Sequence, residues 1–456
     1  MVEKIKDGMI GLEIHVYLVT KEKLFCRCRA VREKGVKPNS YICPICTGQP
    51  GAKPMLPNKA AVEKAVQVAL MLNCKINEAM VWQRKHYSWP DLPKGYQNTL
   101  SGPNAFPVGV EGNFYGIRIT EMHLEEDPAA WNPDNGKVDY NRSGFPLVEI
   151  VTEPDFSTAE EVGAWLKRLL HNLEYLKAVA SDSGIKADVN VNIPGETERV
   201  EVKNVNSVDN IMATIEHELE RQAKEGGVLE TRRFDAGKGK TIRMRGKEQA
   251  DDYRFISDPD LKDIVLDKEF IAEQEKKLPE SPEEKLEKMI KKYKIGKTDA
   301  GVLAKNLDVV EFFERVVGKV KDKDFVLRWV TGELLRHLNY NKVKLDSLEI
   351  KIEHFVKLLN LVKEGKITEL QGKEILNKFY PKSFDPGKEA GKGKIGDKGE
   401  LESVCKGVLE REKSVVARYQ GGERQLLNYL IGQVMKKTEK RADFKVVREV
   451  LERLLN

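Results

Sequence analysis

Apolar and polar residues alternate along much of the first 260 residues of the chain. In MIGLEIHVYL (9–18) every second residue is apolar, so Glu13, His15 and Tyr17 would share the opposite face of a strand. The segments GIRITEMHLEED, GFPLVEIVTEPD, KADVNVNI and VEVKNVN have the same period of two. This pattern predicts a β-rich body whose strands have one apolar face and one polar face.

Three segments in this region have helical periodicity instead. The second of them opens with Thr158-x-x-Glu161, which has the form of a capping box, and the third is closed by Gly226-Gly227. We therefore predict helices over 58–72, 158–180 and 207–225.

The pattern becomes almost entirely helical beyond Pro279 and Pro282. A Gly/Lys-rich stretch at 381–400 interrupts it and is typical of a flexible linker. The chain therefore predicts an α+β fold. Its parts are a β-rich cradle domain with an antiparallel sheet and flanking helices (1–280), an all-helical middle domain (281–385) and a helical tail domain (401–456).

The composition is that of an ordinary soluble protein, with 40% hydrophobic and 33% charged residues. No apolar run reaches the ~18 residues of a membrane helix, and the charged N-terminus is unlike a signal peptide. We expect a cytoplasmic protein with no membrane partner. The net charge of +5 resides at 391–456, which holds 15 Lys+Arg against 10 Asp+Glu. This excess suits a nucleic-acid partner, although a solvated Lys-rich surface explains it equally well.

The basic tail contains two amphipathic patterns, over 425–437 and 444–455. In the first, five apolar residues are spaced as one helical stripe: Leu426, Leu427, Leu430, Ile431 and Val434. Basic residues follow this stripe closely. We predict that a phosphate backbone is gripped by Lys436, Lys437, Lys440 and Arg441.

Four of the six cysteines cluster within residues 24–48. A C-x-C pair and a C-x2-C pair at the two ends of a loop have the spacing of a tetrahedral zinc site. The sequence therefore predicts a structural Zn2+ bound by Cys26, Cys28, Cys43 and Cys46, with free or redox-active thiols as the alternative. Cys74 and Cys405 are isolated and are expected to be small core residues.

The polar strand faces carry an unusual share of acids and histidines. Carboxylates and imidazoles on rigid strands suit a divalent cation that keeps positions open for phosphate, although any one of them could be a solvated or ion-paired residue. Basic residues flank them in QRKHYSWPDLPKGYQNT, DYNRSGFP and MRGKEQADDYRF. The chain has no Walker, dinucleotide-binding or G-x-S-x-G motif. This combination indicates nucleotide-dependent phosphoryl transfer.

Several long segments resemble one family. IGLEIHV, RKHYSWPDLPKGYQ, HLEEDPA, DYNRSGFPLVEIVTEPDF, EVKNVNSV, ETRRFD and MRGKEQADDYRF are similar, in this order, to the B subunit of the glutamyl-tRNA(Gln)/aspartyl-tRNA(Asn) amidotransferases. The C-terminal LLNYLIGQVMKKTEK resembles the tail motif of the same family. The resemblance covers essentially the whole chain.

The resemblance implies an activity and a set of partners. Members use ATP and Mg2+ to phosphorylate the side-chain carboxylate of a misacylated tRNA, Glu-tRNA(Gln) or Asp-tRNA(Asn), which is then amidated. Ammonia is delivered by the amidase (A-type) partner of a complex that also contains a small C-type protein. The resemblance places Mg2+ at Glu13, His15, Glu125 and Glu149. We further expect Lys85, Arg142 and Lys203 to neutralise the ATP phosphates.

Three other interpretations are open. The archaeal E-type relative shares the cradle and the tail but carries an inserted domain, for which this chain has no room. A non-catalytic tRNA-binding scaffold would explain the basic tail but not the acidic strand faces, because an electronegative cleft repels phosphates unless a cation intervenes. A self-sufficient metal hydrolase using Glu13, His15 and Glu125 would turn over a small substrate without partners.

Overall fold

The computed structural model describes residues 7–33, 35–180, 184–246, 253–390, 395 and 398–455. The chain forms two compact units, Met1–Ser281 and Pro282–Asn456. In the described residues, the named strands belong to the first unit and the second unit is helical, which confirms the predicted α+β class. The finer division of the second unit into a middle and a tail domain stays a prediction.

In its described residues, the first unit contains strands and four helices. The strands are β1 (Met9–Tyr17), β2 (Lys75–Ile76), β3 (Ala79–Met80), β4 (Gln83–His86), β5 (Tyr96–Thr99), β6 (Gly109–Phe114), β7 (Ile117–Glu126), β8 (Ala130–Trp131), β9 (Val138–Asp139), β10 (Pro146–Thr152), β11 (Lys186–Asn192), β12 (Val200–Asn206), β13 (Glu230–Asp235), β14 (Lys240–Gly246), β15 (Arg254–Ser257) and β16 (Ile264–Val265). The helices are α1 (Lys59–Met71), α2 (Ala159–Tyr175), α3 (Val208–Glu225) and α4 (Lys268–Lys276).

The main sheet runs in the order β14-β13-β12-β11-β1-β10-β7-β5-β4-β15, with β6 on β7 and β2 on β6. Its described pairs are antiparallel except β12 with β13, which α3 connects. Leu12, Ile14 and Val16 of β1 are buried in one core with the apolar faces of α2 and α3. The two helices therefore cover the apolar side of the sheet, and Glu13, His15 and their neighbours project from the other side.

Each of the three predicted helices begins directly after a residue whose side chain caps its N-terminus. Thr158 accepts a hydrogen bond from the Glu161 N–H, but the Glu161 carboxylate accepts from the Ser157 N–H, so the capping box is displaced by one residue. The helix ends five residues earlier than predicted because Lys177 adopts a positive φ of 51°. Asn58 caps α1 and Ser207 caps α3.

The second unit contains α5 (Pro282–Lys291), α6 (Lys297–Ala304), α7 (Leu307–Val320), α8 (Lys323–Leu327), a π-helical segment (Arg328–Leu334), α9 (Leu335–Asn341), α10 (Ile352–Lys363), α11 (Glu369–Asn377), α12 (Lys398–Arg411), α13 (Lys413–Gln420), α14 (Leu426–Lys437) and α15 (Phe444–Leu455). Short 3-10 turns lie at Leu345–Ser347 and Pro386–Lys388. No helix in the described part of the chain is long and apolar enough to span a membrane.

The predicted linker at 381–400 is folded in its first half. Ser383 is buried, accepts a hydrogen bond from the Lys351 N–H and donates one to the Glu349 carbonyl. Residues 391–394 and 396–397 lie outside the described residues. The Gly/Lys-rich composition did not reveal this packing, because the anchoring residues come from the more distant segment at 349–354.

Candidate active site and cysteine centre

The register of the sheet places three side chains in one row on its polar face. His15 on β1 lies opposite Glu149 on β10, and Glu149 lies opposite His123 on β7. Directly opposed residues of antiparallel strands point to the same face. The Glu149 Oε2 atom is accordingly 3.3 Å from His15 Nε2 and 3.0 Å from His123 Nε2. One carboxylate therefore bridges two imidazoles.

The charges of this row are strongly coupled. Burial alone would lower the pKa of each imidazole, but the Glu149 carboxylate raises the pKa of His15 to about 9 and that of His123 to about 10. Burial opposes the charge of Glu149 as well, yet the two histidines hold its pKa well below the usual value. Glu125 differs, because burial and the nearby Glu149 charge raise its pKa. Burial and the Glu149 charge raise the pKa of Glu13 as well, so without a cation the charges of Glu125 and Glu13 are both disfavoured.

Three of the four residues predicted to bind Mg2+ come together. The ligand atoms of His15, Glu125 and Glu149 all lie within 4.8 Å of one another. Glu13 instead forms a second group, of the same closeness, with Asp188 and Glu201. The two groups are neighbours because Glu13 and His15 are two positions apart on β1, which separates them by about 7 Å along the strand.

Lys203 occupies this second group. Its Nζ lies 2.9 Å from Asp188 Oδ2 and 2.6 Å from Glu201 Oε1, and although burial opposes its charge, these carboxylates raise its pKa. The pairing of β11 with β12 shifts register beside Asp188, and Asp188 Oδ1 accepts a hydrogen bond from the Asn204 N–H at 2.7 Å. The predicted phosphate-binding lysine is therefore held by two carboxylates.

Arg142 is also engaged by protein groups. Its Nε lies 2.9 Å from the buried Asp127 carboxylate, and its guanidinium donates to the carbonyls of Pro128 and Ala129. Tyr17 donates to the same carboxylate at 2.7 Å. Arg142 thus ties the segment after β7 to its own segment before β10, and Tyr17 on β1 bonds to the same Asp127 carboxylate.

Lys85, on β4, is the third predicted basic residue. Its Nζ lies 4.6 Å from the centre of the Tyr253 ring. Across the described residues, no carboxylate oxygen comes within 4.0 Å of this nitrogen. Its charge is one of those that lower the pKa of Glu125. Among the three predicted basic residues, Lys85 is the one whose charge is not matched by an ion pair.

The structure also brings in residues to which the sequence interpretation assigned no role. His123 was recognisable as part of the alternating face, but only the register shows that it pairs with Glu149. Asp258 is buried and accepts from Arg84 Nε at 3.0 Å and from Asn98 Nδ2 at 2.8 Å. It lies outside the strands, where no periodic pattern marks it.

The four predicted zinc ligands converge. The sulfur atoms of Cys26, Cys28, Cys43 and Cys46 all lie within 4.8 Å of one another, and the cysteines are unbridged. The Cys43 and Cys46 sulfurs are 3.9 Å apart, close to the roughly 3.8 Å edge of a tetrahedron with Zn–S bonds of about 2.3 Å. A hydrogen bond from Cys26, together with the charge of Lys23, lowers the pKa of Cys46 to about 5. The arrangement fits a four-thiolate metal ion.

The four predicted tRNA-binding residues are in different environments. Lys436 and Lys437 are exposed at the end of α14. Lys440 forms an ion pair with Glu374 on α11, and its carbonyl accepts a hydrogen bond from Thr368. Arg441 is half-buried. The exposed pair at the helix end is the part of this set best placed for a phosphate backbone.

Comparison with known proteins identifies the family of the chain. Residues 8–272 match the family model described as the GatB/GatE catalytic domain, and residues 311–455 match the model described as the GatB domain. The chain is similar to proteins named as the B subunit of aspartyl/glutamyl-tRNA(Asn/Gln) amidotransferase. It is 43% identical to that of Methanocaldococcus jannaschii, covering 98% of this chain and 97% of the relative. The protein of Methanococcus maripaludis strain C6 is 42% identical, with 98% of each covered, and that of Methanopyrus kandleri is 39% identical, with 99% of each covered.

The first family model covers both the B-type and the E-type proteins and does not separate them. The relatives do, because all three are named as the B subunit. They also match along nearly their whole length, which leaves no room for an inserted domain. The chain belongs to the family of aspartyl/glutamyl-tRNA(Asn/Gln) amidotransferase B subunits.

Proposed function

We propose that this chain is the ATP- and Mg2+-dependent subunit of a tRNA amidotransferase. It phosphorylates the side-chain carboxylate of Glu-tRNA(Gln), Asp-tRNA(Asn) or both, and presents the product for amidation. The observation that carries the proposal is the group of His15, Glu125 and Glu149 on the polar side of the sheet. It combines a 5%-exposed carboxylate of raised pKa with two ligand types suited to a divalent cation.

The reaction requires such a site because an unmodified carboxylate is a poor acylating agent. Its oxygen is a very poor leaving group, whereas the acyl phosphate formed from the γ-phosphoryl of ATP releases inorganic phosphate when ammonia attacks the carbonyl carbon. His15, Glu125 and Glu149 would hold Mg2+, which neutralises phosphate charge when bound. Lys85, whose charge lowers the pKa of Glu125 and which has no ion-pair partner among the described residues, is our choice for a direct phosphate contact.

The remaining basic residues act indirectly in this proposal. Arg142 keeps Asp127 and the start of the following segment in place, and Lys203 balances the charges of Asp188 and Glu201. Ammonia comes from an amidase partner, in a complex with a small third protein. The exposed end of α14 contributes to tRNA binding. Zn2+ is held by the four cysteines in a structural role.

The test is a complex reconstituted from this chain, the amidase and the small third protein. Glu125→Gln should abolish ATP hydrolysis that depends on Glu-tRNA(Gln) or Asp-tRNA(Asn), while complex assembly and glutamine hydrolysis by the amidase persist. The matched control is Glu153→Gln, which makes the same chemical change at a half-buried position where the carboxylate accepts a hydrogen bond from Thr120. Full activity of Glu125→Gln would refute the assignment.

Two further measurements separate the alternatives. Purification of the native chain followed by mass spectrometry should recover the amidase and the small third protein. The isolated chain should not hydrolyse a small substrate without charged tRNA. If it did so with Mg2+ alone, the metal hydrolase would be the better interpretation.

A further inference from the structure

Lys23 is a buried lysine beside the four cysteines. Lys23 is only 1% exposed. Its Nζ lies 3.5 Å from Cys46 Sγ and 3.0 Å from the Tyr140 carbonyl oxygen. In the part of the chain that the structure describes, no carboxylate oxygen lies within 4.0 Å of this nitrogen. Lys23 therefore lacks the usual partner of a buried ammonium group.

Burying an ammonium group without an anionic partner is costly. A carbonyl oxygen carries only a partial charge, so the bond to Tyr140 compensates it incompletely. The loaded cysteine centre supplies what is missing, because four thiolates outweigh the two positive charges of Zn2+ and leave the centre negative. The positive charge of Lys23 and the negative charge of the centre then offset each other in a buried environment.

The backbone holds Lys23 in this position from two sides. Its own N–H donates to the Cys28 carbonyl at 3.0 Å, and the N–H of Leu24 donates to the Gly144 carbonyl at 2.7 Å. From the other side, the Ser143 hydroxyl donates to the Cys46 carbonyl at 2.7 Å. The ammonium group is thus clamped between the cysteine loop and the segment that carries Arg142.

We propose that Lys23 is the charge-balancing residue of the four-cysteine centre and raises its affinity for metal. The proposal rests on the zinc binding proposed above. Residues that hydrogen-bond to metal ligands commonly change metal affinity by about 10–100-fold when they are removed. Lys23 acts on the ligand Cys46 and is therefore a positioning residue.

The experiment measures zinc affinity by competition with a chromophoric chelator in the full-length chain. Lys23→Met should lower the affinity by roughly 10–100-fold. Lys23→Gln should lower it as well, because an amide can still donate to the Tyr140 carbonyl but carries no charge. Lys21→Met, at an exposed position two residues away, is the matched control and should leave the affinity within about twofold. If Lys23→Met does not yield folded protein, Lys23→Gln carries the test.

A stability cycle distinguishes charge balance from simple packing. In the zinc-loaded protein, Lys23→Met should lower the thermal midpoint. In a Cys46→Ser background, which removes both the contacting sulfur and the metal, the same change should be neutral or stabilising, because the ammonium has lost its partner. Equal destabilisation in both backgrounds, or unchanged zinc affinity of both Lys23 variants, would overturn the proposal. Absence of zinc binding by the unmodified chain would instead refute the zinc site itself.

Discussion

Glu149 and Glu125 are predicted to respond oppositely to the same substitution in the metal-free protein. Both carboxylates lie on the polar face of the sheet. Glu149 is bonded to His15 and His123, and its pKa is held well below the usual value, so its charge is stabilised by the fold. Glu125 has a raised pKa, so its charge is destabilising at neutral pH. Glu149→Gln should therefore destabilise the chain, whereas Glu125→Gln should not.

The size of the first effect follows from the geometry. Removing one partner of a buried charge pair costs roughly 3–5 kcal/mol, and Glu149 has two imidazole partners, one of them on a residue only 1% exposed. Such a loss is a large part of the about 5–15 kcal/mol that stabilises a typical protein. Glu125→Gln removes a disfavoured charge and keeps the shape of the side chain. We expect that variant to be at least as stable as the unmodified protein.

Urea unfolding at pH 7 in the presence of EDTA measures both effects, with Glu153→Gln as the control for a lost surface carboxylate. Repeating the titration with Mg2+ gives an independent readout. A bound ion stabilises the native state by RT ln(1 + [L]/Kd), so the unmodified protein should gain stability and neither site variant should. Equal destabilisation by Glu125→Gln and Glu149→Gln, or a Glu149→Gln variant as stable as the control, would refute the electrostatic argument.

Three further predictions concern the other elements. Cys43→Ser should abolish binding of one zinc ion per chain and lower the thermal midpoint more than it lowers ATP turnover; metal analysis that finds no zinc in the folded unmodified protein would contradict this. Arg142→Gln should cost roughly 3 kcal/mol in urea unfolding because Asp127 loses its ion-pair partner, and unchanged stability would show that the pair is not needed. The double variant Lys436→Glu, Lys437→Glu should raise the KM for tRNA and weaken the salt dependence of tRNA binding. Deletion of 401–456 should have the same effects, and neither change should alter binding of the amidase. Unaltered tRNA binding would show that these basic residues do not contact the tRNA.

The period-two pattern was sufficient to predict β1, β7, β10, β11 and β12 and the acids and histidines on their polar faces. The reason is local, because side chains of a strand point alternately to its two faces. Spacing was likewise sufficient for the cysteine group, since both pairs lie within one short loop. The helices α1, α3, α14 and α15 were predicted to within one or two residues, because caps and apolar stripes mark them in the chain.

Which of these side chains meet depends on the order and register of the strands. In the sheet the strands run in the order β11, β1, β10, β7. This order places Glu13 in a different group from His15, Glu125 and Glu149, and it places His123 against Glu149. The same packing commits Lys203 and Arg142 to carboxylates and buries Lys23 beside Cys46. These contacts join residues far apart in the chain. The hydrogen bonds between strands decide which residues lie opposite each other. The periodicity within one strand does not determine which strand it pairs with.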